Sequence, residues 1–229
     1  YNLDVRTKIL DVPSLYYEFS YYLTKVASSF TNYNFSNGIS ASHTFSKIIS
    51  GRARVAREDS ALKDEKGLTY LYNTSITATP LNTLSHTLNY SGQMQETVEE
   101  KSNKNSIFLN NTAELYKGIN IKINEGISFQ TKDSGEKTTS TSFSFGSGIV
   151  PHKKVSLDIY YSKNNTKQTG GVQEAPATST WLGTFGISYK PFNTLYFITS
   201  VETVTSADIT RTLQNYGANW SPFHDGSLH

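Results

Sequence analysis

The stretch Ile119-Asn120-Ile121-Lys122-Ile123-Asn124-Glu125-Gly126-Ile127-Ser128-Phe129-Gln130 decides the fold. Ile119, Ile121, Ile123, Ile127 and Phe129 share one face at a spacing of two, and Asn120, Lys122, Asn124, Gly126, Ser128 and Gln130 share the other. That is the period of an extended strand, in which successive Cβ atoms point to opposite sides. The pattern recurs after Pro80, with Leu84, Leu88, Tyr90 and Met94 against Thr83, Ser85, Thr87, Asn89 and Gln93. It recurs after His152, with Val155, Leu157, Ile159 and Tyr161 against Ser156, Asp158, Tyr160 and Ser162. Helical spacing fits none of the three.

Between such stretches stand turn signals: Pro80 to Leu84, Lys117-Gly118-Ile119, Pro151 to Val155, Pro191 to Leu195 and Pro222 to Leu228. They recur roughly every 30 to 40 residues, the length of two long strands and one further connection, which is a hairpin meander. Strands of soluble sheets run about five or six residues, whereas these run to roughly ten or more, as a tilted strand crossing a bilayer must. The wet face is rich in Ser, Thr, Asn and Gly and poor in the Lys/Glu pairs that solvate a soluble sheet.

The composition agrees. Hydrophobic residues make up 36% of the 229 and aromatics 13%, a balance expected where half of each strand is polar and Tyr and Phe gather at interfaces. No apolar run approaches about twenty residues, so a helical span is excluded. With no cysteine there is no disulfide, thiolate metal site or cysteine nucleophile. A net charge of +2 with scattered basic residues gives no footprint for nucleic acid.

About fourteen strand-like segments of roughly a dozen residues are expected. The first pair turns at Asp11-Val12-Pro13-Ser14, after which Leu15, Tyr17, Phe19, Tyr21 and Leu23 share a face. A third segment groups Tyr33, Phe35, Ile39, Ala41 and Phe45, and a fourth sets Ile49, Gly51, Ala53 and Val55 against Ser50, Arg52 and Arg54. Glu99 to Lys104 and Lys163 to Ser179 read as solvated loops. The expected fold is therefore all-β: one antiparallel up-and-down transmembrane β-barrel domain, or a contiguous piece of one, over residues 1–229. The start at Tyr1-Asn2-Leu3-Asp4 lacks a signal-like segment, and the chain stops at Ser227-Leu228-His229 where a further hairpin should open, so closure by additional chain is expected.

Tight proline-containing turns mark one end of the hairpins. Tyr189 and Trp220 precede two of them and Phe192 and Phe223 follow, forming an expected aromatic belt at the periplasmic interface. The motif Tyr189-Lys190-Pro191-Phe192-Asn193-Thr194-Leu195, with its echo from Trp220 to Leu228, resembles the hairpin turns of large outer-membrane β-barrel proteins of Gram-negative bacteria, in particular the porin-like barrels of porin–cytochrome systems. The resemblance implies a bacterial outer-membrane location, a channel for solutes or a sheath around a translocated partner, and a cytochrome or lipoprotein in the lumen or at the periplasmic face.

On these face assignments Ile119, Ile121, Ile123, Leu157, Ile159, Leu195 and Phe197 meet lipid. Arg52, Arg54, Glu114, Lys122, Asp158 and Glu202 line the lumen, together with Arg6, Lys8 and Glu18. Such charges either tune ion selectivity or pair across strands inside a narrow barrel. Arg52 and Arg54, two apart on one strand, form the best anion-facing patch. His43 and His86 fall on the apolar face, His152 and His224 in turns and His229 at the chain end, so no nucleophile–base pair emerges and neither enzyme nor cofactor is expected. Two rival readings remain: a plugged barrel acting as anchor or adhesin, and a non-membrane extracellular β-sheet.

Overall fold

A computed structural model describes residues 1–26, 30–62, 65–98, 100–170, 176–206 and 209–221. Thirteen strands follow one another: β1 (Asn2–Leu10), β2 (Ser14–Val26), β3 (Phe30–Thr44), β4 (Ile49–Leu62), β5 (Glu65–Leu81), β6 (Leu84–Thr97), β7 (Lys101–Tyr116), β8 (Ile119–Lys132), β9 (Lys137–His152), β10 (Val155–Thr169), β11 (Thr178–Phe192), β12 (Leu195–Ser206) and β13 (Ile209–Trp220). Each pairs antiparallel with its neighbours in sequence, giving one up-and-down sheet in the order β1 to β13. Among the described residues there is no helix or second layer, and β1 and β13 do not pair with each other.

The meander and its strand lengths agree with the sequence reading, with thirteen strands among the described residues against about fourteen expected. From β2 onward the strands run from 12 to 17 residues. That exceeds the roughly 9–11 needed to span a bilayer at a tilt. Two expected loops are largely strand. The ladder carries β10 on to Thr169, so the connection to β11 shrinks to 170–177, and β7 already begins at Lys101. Both faces of Lys163–Thr169 are polar, so periodicity has no contrast there, yet backbone pairing with β9 continues. Phe45, expected on β3, lies just beyond its end.

Register ties the face of each strand to its neighbours, because residues directly opposite in an antiparallel pair share a face. Ile121 opposes Ala113 on β7 and Ser147 on β9; Leu157 opposes Ile149 and Ile187; Phe197 opposes Tyr189 and Ala218. One apolar face thus runs unbroken from Leu3 to Trp220. It is exposed: Val55, Ile76, Leu88, Ile107, Phe129, Ile159, Phe185 and Phe197 all stand out from the sheet. Most of the buried small residues, Ser36, Ser40, Ala56 and Ser106, lie on the polar face, with Ala61 on the other. A sheet curling toward its polar side packs small residues in this way.

The total accessible surface, 15965 Å² for 25.5 kDa, can be set against the roughly 10,000 Å² of a globular monomer of that mass. The excess is that of a single layer with nothing packed against either face.

Local details hold the register. Lys117 and Gly118 form the two-residue turn between β7 and β8, and Gly118 takes φ +88°, a left-handed conformation that side chains disfavour. Its carbonyl accepts the Val150 N–H at 2.7 Å, and a Cβ there would sit 2.9 Å from the Val150 oxygen. Further along, the Tyr72 ring lies across Gly92, directly opposite on β6, and its hydroxyl donates to Asn105 Oδ1 on β7 at 2.5 Å. Phe108 covers Gly126 in the same manner on the polar face. A ring laid over bare backbone fastens adjacent strands.

Gly118→Val should lower stability by about 1–2 kcal/mol, and Gly118→Asn by clearly less, in urea titrations of the folded chain in lipid vesicles followed by heat-modifiable gel mobility.

Candidate functional site

The polar face is where chemistry-bearing side chains gather. Short polar residues clasp one another across strands: Thr77 with Thr87 at 3.1 Å, the Asn124 amide with Ser144 at 3.0 Å, Ser140 with Thr166 at 3.1 Å, and Ser156 with Ser188. All lie on the face opposite Ile121 and Leu157.

Glu18 on β2 is the hub of the charged set. Its carboxylate accepts the Ser40 hydroxyl at 2.6 Å and Arg54 Nε at 2.8 Å, with Arg6 Nε 3.7 Å away. Register explains the meeting: Arg6 opposes Glu18, Arg54 opposes Ser40, and Glu18 opposes Gly38, whose missing side chain lets the carboxylate lean across β3. A Cβ on Gly38 would stand 2.8 Å from the Val55 oxygen. Lys8, near the end of β1, sets its Nζ 2.6 Å from Asp11 in the turn that follows, and its hydrogen bond and charge hold the Asp11 carboxyl below its ordinary value.

Register places all six predicted polar-face charges on this face, but it does not gather them into one site. Arg52 on β4 stands between Ser42 and Ser75 and has no ion-pair partner among the described residues. Arg54, two residues on, is occupied by Glu18, so the two arginines have different roles. Glu114 opposes Asn120 near the β7–β8 turn, and Lys122 lies between Thr112 and Gly146. Asp158 lies between Gly148 and Gly186, and Glu202 between Thr184 and Leu213. The sequence reading passed over Glu58, which receives the Ser36 hydroxyl at 3.5 Å, and Lys104 and Arg211 on the same face. Strict alternation from Arg54 along β4 and from Glu114 along β7 would have found the first two.

Around Arg52 the face forms an open hollow of about 640 Å³ lined by Asp11, Ser14, Ser42, Thr44, Ser50, Ser75 and Thr77 among others. Asp11, its one carboxylate, is already paired with Lys8. Hydroxyls around a free guanidinium suit a hydrated anion or a polyhydroxylated solute.

The seven residues expected to meet lipid share the apolar face, and His43 and His86 lie on it too. His86 Nδ1 is 2.6 Å from Asn111 Oδ1. At the turn end, Tyr189 and Phe197 stack with centroids 6.5 Å apart, Phe192 lies 5.9 Å from the Lys154 ammonium, and Trp220 opposes Leu195. Phe223 lies outside the described residues. Among those described, no group of His, Asp and Glu is arranged to hold a metal ion.

A single meander of long antiparallel strands, oily on one side and polar on the other, is the architecture of an outer-membrane β-barrel wall, and the chain has that fold. The crystal structure of the siderophore receptor PirA from Pseudomonas aeruginosa matches it with a TM-score of 0.75 at 7% identity, over 88% of this chain and 41% of the receptor. The chain thus spans well under half of that receptor's length. OmpT, an outer membrane protein of Vibrio cholerae, gives a TM-score of 0.48 at 7% identity over 90% of this chain and 97% of its own, too low to carry argument. No family model matches the sequence, and no curated protein matches it.

Glu18→Ala should cost about 1 kcal/mol, modest because the pair is part-exposed. In a double-mutant cycle with Arg54→Ala, read by urea unfolding in vesicles, the two losses should fall short of additivity by about 0.5–1 kcal/mol.

Proposed function

We propose that this sheet forms part of the wall of a β-barrel in a bacterial outer membrane, with its apolar face against lipid and its polar face lining a water-filled passage for solutes. The observation that carries this reading is the uncovered apolar face. It continues across all thirteen strands, far beyond the roughly 300–600 Å² of the largest apolar patch on a typical soluble monomer. Acyl chains satisfy such a face without a second protein layer, and the hydrogen-bonded ladder leaves few backbone groups for the lipid to solvate. The opposite face offers hydroxyls, amides and isolated charges, the surface of an aqueous conduit rather than of a dry core.

Within that passage, Arg52 is the residue assigned to ion selectivity, since Arg54 is neutralised by Glu18. Across β1 to β4 and the turn at Asp11 this face carries Arg6, Lys8, Arg52 and Arg54 against Asp4, Asp11, Glu18 and Glu58, so its charges balance and any anion preference rests locally on Arg52.

Reconstituted in planar bilayers, the closed barrel that contains this sheet should give steady single-channel steps. Under a salt gradient, Arg52→Glu should lower the anion-to-cation permeability ratio by about twofold or more, and Arg54→Gln by less. The faces are tested in vesicles: Ser156→Cys should react with a water-soluble thiol reagent and Leu157→Cys with a lipid-confined one. Reciprocal labelling without conductance would indicate a plugged anchor; aqueous labelling of Leu157→Cys would refute the membrane placement.

A further inference from the structure

We infer that the apolar face carries, at the loop end of β9 and β10, a binding site for the phosphate groups of a lipid A type glycolipid, formed by Lys137, Lys163 and Lys167. The inference rests on the proposed lipid contact of that face. Lys163 and Lys167 lie on β10 in the same alternating set as Leu157 and Ile159, and Lys137 on β9 opposes Thr169 of that set, so all three ammonium groups belong to the outward face. All three residues are exposed, and none has an ion-pair partner among the described residues.

The order of chemistry along β10 is what a lipid surface demands. Leu157 and Ile159 come first; then Tyr161, opposite Phe145; then Lys163, between Phe143 and Trp181; then Asn165, between Thr141 and Ser179; then Lys167. Acyl-chain, interface and headgroup levels follow in that order, and the aliphatic stems of lysines can lie along the aromatic rings while the ammonium groups reach upward. Lys163 and Lys167 are about 13 Å apart along the strand, and Lys137 is diagonal to Lys167 across a strand pair at about 7 Å. Three cations over that span call for more than one phosphate, which favours a bisphosphorylated glycolipid over a phospholipid with a single phosphodiester.

Charge on the rest of this face sharpens the contrast. On β8 to β11 its one strand carboxylate is Glu125, separated from Lys163 by the width of β9 with Phe143 between them. Across β4 to β7, charges at the corresponding level compensate one another: Arg57 lies 2.9 Å from Asp59 and Lys101 2.6 Å from Glu96, and Lys66 has no ion-pair partner among the described residues. The uncompensated cluster is confined to β9 and β10.

The test uses the full chain folded in detergent micelles, titrated with lipid A and followed by native mass spectrometry. Bisphosphorylated lipid A should be retained about tenfold or more better than its dephosphorylated form or phosphatidylglycerol. The K137Q/K163Q/K167Q variant should lose that preference, the triple Lys→Arg variant should keep it, and Lys104→Gln on the polar face should leave it unchanged. Equal retention by the triple Gln variant, or of phosphatidylglycerol by the wild type, would overturn the assignment. Failure of the membrane placement is distinguishable, because Leu157→Cys would then react with an aqueous reagent in vesicles; that result would overturn both readings.

Discussion

Everything in this molecule follows from the need of the peptide backbone to find its hydrogen bonds inside the sheet. A chain that turns oily side chains toward hydrocarbon has no water there to solvate its N–H and C=O groups, and each one left unmet costs several kcal/mol or so. Twelve consecutive antiparallel pairings supply those bonds from β1 to β13. With strand pairing fixed, the period of two assigns every side chain to one of two faces, and a slip of one residue would exchange isoleucines and lysines between them. The residues that fix register, Gly118 in its turn and the rings over Gly92 and Gly126, therefore also fix which chemistry faces which medium.

Much of this was legible in the sequence because contrast between the faces was high. Ile119 to Phe129 alternates so sharply that strand, face and length could be read together, and Gly118 announced its turn. Legibility fails where both faces are polar: Lys163 to Thr169 carries no periodic signal, so a strand end reads as a loop and the sequence does not show which face Lys163 and Lys167 share. Phe45 keeps the spacing of β3 but lies one residue past its end, with the bend following at 46–48 where the sequence places the turn.

The candidate site was half legible. Alternation placed Arg52, Arg54, Glu114, Lys122, Asp158 and Glu202 on one face, and register agrees. Which arginine is engaged could not be read, because Glu18 reaches Arg54 only through the pairing of β1 to β4 and the bare backbone at Gly38, contacts between residues far apart in sequence. A face is a local property of a strand; a partner is a property of the sheet.

The glycines of the polar face divide it into two kinds of wall. At Gly38 a single methyl would strike the Val55 oxygen and the Ala56 side chain, whereas at Gly146, Gly148, Gly186 and Gly217 the nearest heavy atom lies 3.7 Å or more away. Side chains can therefore be grafted onto β9, β11 and β13 to reshape or recharge the polar face with little disturbance. The β1–β4 quarter, locked by Glu18 and its arginines, acts as the rigid frame on which such remodelling would be built.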